Sequence, residues 1–368
     1  MSKKRKNNKI TIYVRNEHYG PSCYYRIIQY LRFSNNNLVR VNNSVSDKEY
    51  LKFYKKRNIF TKFFLYISIY FKRLFSLTRD LFSQPKIIII QREIMPKFCG
   101  FLILALLRLC SFKSKIIWDF DDSILEGREI SKLEFSMLEK LSRTIVVTHF
   151  QLSRIIHEPF YKKIVLLPTN DVFFMNCDCD EIQKNRIKLF ESTINLIWVG
   201  TFSNIPFLNV FADSLDRAAS IIEEKLNKKV VLRIVSNQPF LHNFKNISLL
   251  NIEWSRERAQ ELMLLSHIGL MPLIDSSYVQ GKGGFKLIQY LSCGMPVIAS
   301  NVGFNKEIVL NDYNGYLITN EKELIEPLVS ITKDCDKWLE MSNNSFNLYK
   351  KKFAIEKNID FWKGVLDE

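Results

Sequence analysis

Short apolar runs recur along this chain, each closed by polar residues and followed by a stretch with apolar positions three and four apart. Such runs lie at 10–14, 86–93, 115–122, 144–148 and 163–167, and again at 194–199, 230–235, 247–252, 267–273 and 297–299. Unbroken hydrophobicity over about five residues marks a strand buried on both faces, which is the signature of parallel sheets. The intervening segments, among them 24–32, 97–110, 257–266 and the run bearing Leu287, Ile288 and Leu291, carry helical spacing. Alternating strands and helices predict an α/β protein with doubly wound parallel sheets.

The 368 residues are too many for one ordinary domain and suffice for two, each with its own core. The expected division is a first domain over 1–175 and a second over 190–335, joined through the polar stretch 172–186. A tail over 336–368 carries Trp338, Leu339, Met341, Phe353, Ile355, Ile359, Phe361 and Trp362 at helical spacing. Two folds of this kind predict a central cleft between them as the ligand site.

Charge changes the picture in one region. The formal net charge is +15, so an anionic partner is expected: lipid headgroups, a phosphorylated donor or nucleic acid. Much of that charge falls in 48–86, where lysines and arginines such as Lys52, Lys62, Lys72, Arg73 and Arg79 interleave with Phe60, Phe63, Phe64, Phe71, Phe75 and Phe82. A cationic helix with an aromatic face suits the surface of an anionic membrane. It equally suits a helix that packs its aromatics on a sheet and turns its lysines outward, and one helix can do both. Single-stranded nucleic acid also takes basic and aromatic residues together. No RRM, OB or KH pattern accompanies them here, so no nucleic-acid partner is expected.

The basic start of the chain, including Lys3, Lys4, Arg5 and Lys6, has no secretory pattern and reads as a solvated terminus. The apolar run at 98–107 is too short to span a bilayer. Seven cysteines without zinc-like spacing fit a reducing compartment, hence a cytoplasmic protein.

Three places carry chemistry. The loop Gly281-Lys282-Gly283-Gly284 leads into a short helix bearing Lys286 and Gln289, and the residue pair Gly294 and Pro296 stops it before the next strand. A glycine-rich helix start with two lysines fits a diphosphate, although a solvated loop has the same composition. Gly200 and Thr201 follow another strand and open another helix. At the end of the strand over 115–122 stand Asp119, Asp121 and Asp122, with Asp119 and Asp121 on one face. Close acids push one another's pKa upward, so one of them is expected to stay protonated near neutrality; capping the next helix is the structural alternative. Gly20 and Arg26, after the first strand, are candidates for an acceptor or phosphate side, since a guanidinium forks onto phosphate oxygens. His149 begins a loop or helix and reads as a cap.

The run Cys293-Gly294-Met295-Pro296-Val297-Ile298-Ala299-Ser300, followed by Val302-Gly303, Glu307-Ile308-Val309 and Asn314-Gly315, resembles the donor half of GT-B glycosyltransferases of group 1, or family 4. The resemblance implies two Rossmann-like domains facing a cleft and a last helix crossing back to the first. It implies a retaining transfer from a nucleotide-diphosphate sugar, without metal or other cofactor, to a glycan or glycolipid. It implies a setting in bacterial surface polysaccharide synthesis, at the inner face of the membrane. It also implies donor binding by Gly200, Thr201, Lys282, Gly283, Gly284, Lys286 and Gln289. A catalytic share is expected for Lys286 with Asp121 and Asp122, the first of which falls where the relatives carry a histidine.

Two departures from the family accompany this. The paired glutamates of the relatives fall on Gly281 and Gln289, and an Arg/Lys pair after the second domain's first strand is replaced by Thr201, Ser203 and Asn204. A catalytically inactive membrane scaffold and a nucleotide-sugar 2-epimerase are therefore the alternatives. A dinucleotide-dependent dehydrogenase fits less well, because residues 274–280 separate the strand from the glycines. Base, sugar, acceptor, linkage and oligomeric state are not written in the sequence.

Overall fold

The computed structural model describes residues 10–35, 38–55, 59–156 and 163–368. The amino-terminal basic cluster, Lys56 and Arg57 lie outside them. Two compact units emerge. One consists of the described residues up to Thr169 together with Gly281–Gly283 and Glu356–Glu368; the other is Asn170–Gln280 with Gly284–Ile355.

The first unit holds a six-stranded parallel sheet of β1 (Ile10–Val14), β2 (Val39–Asn43), β3 (Ile87–Gln91), β4 (Lys115–Phe120), β5 (Thr144–Val147) and β6 (Lys163–Leu166), in the order β2-β1-β3-β4-β5-β6. Its centre is the isoleucine run of β3, fully buried between β1 and β4. Each such side chain contributes about 1.5–3 kcal/mol of transfer free energy.

In the second unit β7 (Thr193–Val199), β8 (Lys229–Ser236), β9 (Ile247–Glu253), β10 (Ile268–Met271), β11 (Val297–Ser300) and β12 (Gly315–Ile318) form a parallel sheet ordered β12-β11-β10-β7-β8-β9. Strand order reverses between β1 and β3 in one sheet and between β7 and β10 in the other. Open α/β sheets bind ligands beyond the carboxyl ends of strands at such a reversal.

The two strands that the hydrophobic pattern misses, β2 and β12, both sit at sheet edges. Val-Arg-Val-Asn-Asn and Gly-Tyr-Leu-Ile are short and only partly buried, so neither shows the continuous apolar run of an interior strand. The polar stretch expected as a linker is also structured. Cys179–Phe190 is a helix capped by Asp178, and its Arg186 is buried, donating to the carbonyls of Met263, Leu264 and Gly294. In the tail, Cys335–Leu348 stays with the second unit, where Trp338 donates to His267 O at 3.0 Å. Only Glu356–Asp367 joins the first: Asn358 donates to Pro168 O at 2.7 Å and Ser34 to Asp367 at 2.7 Å.

The basic aromatic segment forms two helices, Asp47–Lys55 and Ile59–Ser83. On the second, the buried stripe is Ile69, Arg73, Ser76, Leu77 and Asp80, whereas Phe60, Phe63, Phe64, Phe71, Phe75 and Phe82 are exposed. This corrects the reading in which the aromatics pack inward and Arg73 belongs to a solvated cationic face. Arg73 caps three carbonyls at once, those of Ile94, Asn42 and Val14, and Asp80 accepts from Tyr13 and Arg40. Burying a charge is tolerable only with such partners, and an aromatic ring needs none. The helix Phe101–Ser111 adds exposed Phe101, Leu102 and Leu109, flanked by exposed Phe98 and Phe112; Tyr66 donates to Phe98 O at 2.7 Å. Among the described residues no helix is long and apolar enough to cross a membrane.

Candidate functional site

In the second unit, β7 is followed by Gly200, whose Cα lies so close to the Trp198 ring that a Cβ would meet it at 2.5 Å. The turn that follows is polar: Thr201 and Ser203 hydroxyls are 2.8 Å apart, Asn204 donates to Thr201, and Phe202 N donates to Asn237 at 2.9 Å. Beyond β10, the helix Phe285–Ser292 starts at Gly284, which adopts φ +62 and offers no side-chain cap. A Cβ there would also stand 2.4 Å from Ile308, so the helix can begin at this point only on glycine.

Lys286 and Gln289 share one face of this helix, one turn apart. Lys286 Nζ donates to Gln289 Oε1 at 2.8 Å, and Gln289 Nε2 donates to Asp171 Oδ2 at 2.7 Å. Asp171 also accepts from Gln260 at 2.9 and 3.1 Å. Burial pulls the Lys286 ammonium down to about 8, with the Asp171 carboxylate opposing that shift. A cation on the edge of neutrality, beside a helix amino terminus, is suited to holding a phosphate whose own charge restores the proton.

The glycine loop is divided by the structure. Gly281–Gly283 belongs with the first unit, where Gly283 N donates to Asp122 Oδ1 at 3.1 Å and a Cβ on Gly283 would lie 2.7 Å from Asp121 O. The Lys282 charge acts there on Asp122. Lys282 and Gly283 are thus grouped with the acids, Gly284 and Lys286 with Gln289.

The acids of the first unit are more heavily committed than their sequence implies. Arg92 Nε meets Asp121 at 2.7 Å, its Nη2 meets Asp122 at 2.8 Å, and its Nη1 meets both oxygens of Glu129 at 2.9 Å. Ser22 donates to the other oxygen of Asp121 at 2.7 Å, and Arg15 ties Glu129 to Glu93. The two neighbouring aspartates separate in acidity. Burial raises Asp121, but Arg92 outweighs it and holds this carboxyl below its usual range; burial and the Asp121 charge together push Asp122 up. The expectation that each acid raises the other therefore holds for Asp122 and fails for Asp121, because Arg92 and Ser22 supply it with donors.

Gly20 and Arg26 are placed inside the fold. Gly20 N donates to Asn16 O at 3.1 Å, and a Cβ would approach that oxygen to 2.6 Å. Arg26, expected on a phosphate side, is buried and forks onto Asp119, with Nη1 on Leu167 O. Its charge is already matched, so the surface phosphate role is corrected to an internal ion pair. His149 caps the helix Phe150–Ser153 through Nδ1, and burial takes it down to about 4, so it stays neutral. Asp171 and Arg92 are the residues that the sequence did not single out; each stands alone in its segment without a motif.

Residues 193–334 match the family model of glycosyl transferases group 1. Over that span the second unit is similar to group 1 glycosyl transferases. It contains Gly200, Thr201, Gly284, Lys286 and Gln289 within the matched span. The whole chain has the fold of GT-B glycosyltransferases. Anabaena HepE, solved in complex with UDP, is similar with a TM-score of 0.64 at 13% identity, covering 97% of this chain and 99% of that one. Sucrose-phosphate synthase from Thermosynechococcus elongatus is similar with a TM-score of 0.59 at 12% identity, covering 97% and 98%. The pneumococcal O-GlcNAc transferase GtfA, in complex with UDP and GlcNAc, gives 0.56 at 12% identity over 80% of this chain and 59% of that one. A comparison with curated proteins gives no match.

Proposed function

We propose that this protein is a retaining glycosyltransferase that moves a sugar from a nucleotide-diphosphate sugar to a lipid-linked glycan in bacterial surface polysaccharide synthesis. The observation that carries the reading is that Lys286, a half-buried ammonium lowered to about 8, lies inside the span matched by the glycosyl transferases group 1 model. The complexes of HepE with UDP and with UDP-glucose support a nucleotide sugar as donor.

In this mechanism catalysis is positioning plus charge stabilisation. As the glycosidic bond to the donor breaks, negative charge grows on the leaving diphosphate, and Lys286 with the start of Phe285–Ser292 stabilises it. Gly200 and Thr201 follow β7 at the same unit's strand reversal, where the donor is bound. Lys282 and Gly283 serve the donor beside the acids. Asp122, the acid raised by burial, orients an acceptor hydroxyl, while Asp121 holds Arg92 in place. The donor is a substrate and no resident cofactor or metal takes part in the scheme.

Peripheral binding to the cytoplasmic face of an anionic membrane completes the reading. The exposed aromatics of Ile59–Ser83 and Phe101–Ser111, with exposed Lys52, Lys62, Lys97, Arg108 and Lys113 on the same unit, support it.

Thermal shift with UDP, GDP, ADP and NAD tests the function. One nucleoside diphosphate at a hundredfold excess over its Kd is expected to stabilise the protein by about 2.7 kcal/mol. Stabilisation by NAD alone, or by none of the four, would sink the reading in favour of a dehydrogenase or an inactive scaffold.

A further inference from the structure

We propose that Asp171 is a positioning residue of the second unit: it holds the Gln289 amide in the one orientation that presents its carbonyl oxygen to Lys286. The role within a donor site rests on the function proposed above; the orientation itself does not.

An amide side chain has two nearly isosteric flips, and its neighbours decide between them. A carboxylate only accepts, and an ammonium only donates. Gln289 stands between the two, with Nε2 at 2.7 Å from Asp171 Oδ2 and Oε1 at 2.8 Å from Lys286 Nζ. Only one flip satisfies both contacts. Asp171 is itself fixed from two further sides. Its Oδ1 caps Phe173 N at 3.0 Å at the start of the turn Val172–Asn176, and Gln260 of the helix Arg256–Leu264 donates to both of its oxygens. Asp171, Gln260 and Gln289 are all buried, so water does not substitute freely for a lost partner.

The electrostatic surroundings agree with this geometry. Lys286 Nζ lies 4.6 Å from the centre of the Phe285 ring, and Asp171 is the carboxylate acting on it. Cys177 and Cys293 face Asp171 from the turn and the helix end. Burial pushes both thiols up, Cys177 to about 11, so they remain neutral; Arg186 approaches Cys293 Sγ at 3.4 Å. The carboxylate of Asp171 therefore reaches Lys286 both through Gln289 and through space.

The test is a polarity swap. In Asp171→Asn the Phe173 N–H retains the oxygen at Oδ1, so the new NH2 faces Gln289 Nε2. Gln289 must turn over, setting its own NH2 against the ammonium. In the double variant Asp171→Asn with Gln289→Glu, the carboxylate introduced on the helix accepts from the amide introduced at position 171 on one oxygen and from Lys286 on the other. The chain of contacts is then restored.

The first readout needs no ligand. The Lys286 side-chain resonance, assigned by its loss in Lys286→Arg, is titrated by NMR. Its midpoint is expected to move below the wild-type value in Asp171→Asn and above it in the double variant, where the negative charge touches Lys286. A purely structural loss would lower the melting temperature and leave this midpoint alone. The second readout is calorimetric binding of UDP, expected to weaken about tenfold in the single variant and to recover in the double one.

An unmoved Lys286 midpoint in Asp171→Asn, or a double variant worse than both singles, overturns the proposal. Because the Asp171 charge also acts through space, the orientation stands only if Gln289→Met, which keeps that charge, lowers the midpoint too; if it does and UDP binds to no form, the donor-site reading alone falls. Should Asp171→Asn fail to fold, Gln289→Met replaces it: deleting the carbonyl acceptor is expected to lower the Lys286 midpoint, and no change overturns the proposal.

Discussion

Arg26 and Asp119 form an ion pair whose side chains are 1% and 0% exposed. Ser22, one helical turn earlier, reaches Asp121, two residues further along the chain from Asp119. A helix turn and a two-residue strand step have nearly the same length, so the helix Pro21–Arg26 clips onto the end of β4 at two points.

Because the pair is buried, removing one partner strands the other. Arg26→Ala is expected to lower stability by about 3–5 kcal/mol, and Arg26→Met with Asp119→Leu to lower it much less. Urea unfolding measures both. Loss of UDP affinity without loss of stability in Arg26→Ala would return Arg26 to the phosphate role read from the sequence.

Glu134 gives a pH signature. It accepts from Ile94 N at 2.6 Å and Met95 N at 3.2 Å, and burial pushes its carboxyl from 4.5 up to about 8. A folded value above the unfolded one means that the folded chain keeps a proton the unfolded chain has released. This stability is therefore complete below 4.5 and drains away as pH rises to about 8. The slope is about 1.4 kcal/mol per pH unit. Glu134→Gln is expected to remove that slope between the two values, which paired urea titrations at several pH values will detect; parallel curves for the two proteins would refute it.

Lys286→Ala is expected to lower transfer or donor hydrolysis on the order of 10²-fold, a few kcal/mol of transition-state stabilisation. In the wild type, activity should fall as pH rises through about 8, where the half-buried ammonium loses its proton. Lys286→Arg should flatten this limb, since a guanidinium stays charged. An alanine variant with an unchanged rate disposes of the role.

Charge reversal at Lys52 and Lys62 and polar replacement of Phe71 and Phe75 test the membrane face separately. The first should weaken sedimentation with anionic vesicles mainly at low salt, the second at every salt concentration. Binding that survives both sets of changes makes the exposed aromatics something other than a lipid contact.

Much of the fold was legible because interior parallel strands are continuous apolar runs, as in the isoleucines of β3. Edge strands β2 and β12 were not, since β2 is interrupted by Arg40, Asn42 and Asn43 and β12 is only the four residues Gly315–Ile318, too short to stand out as an apolar run. Which face of the helix Ile59–Ser83 lies inside stayed open between two readings for a related reason: periodicity sets residues on one face but does not say which face is buried. Aromatic and charged stripes both recur every turn, and only the carbonyls of Ile94, Asn42 and Val14 explain why Arg73 lies within.

By itself the sequence determined the alternation of strands and helices, the glycine-rich loop that leads into the helix bearing Lys286, and the likeness of 193–334 to group 1 transferases, because each rests on neighbours along the chain. Tertiary structure alone decided that Arg26 serves Asp119, that Arg92 divides the acidity of Asp121 and Asp122, and that Asp171 meets Gln289. Those partners stand 93, 29 and 118 positions apart. A carboxylate's acidity and an amide's orientation are set by whatever donors the folded chain brings within about 3 Å, and no local pattern encodes that choice.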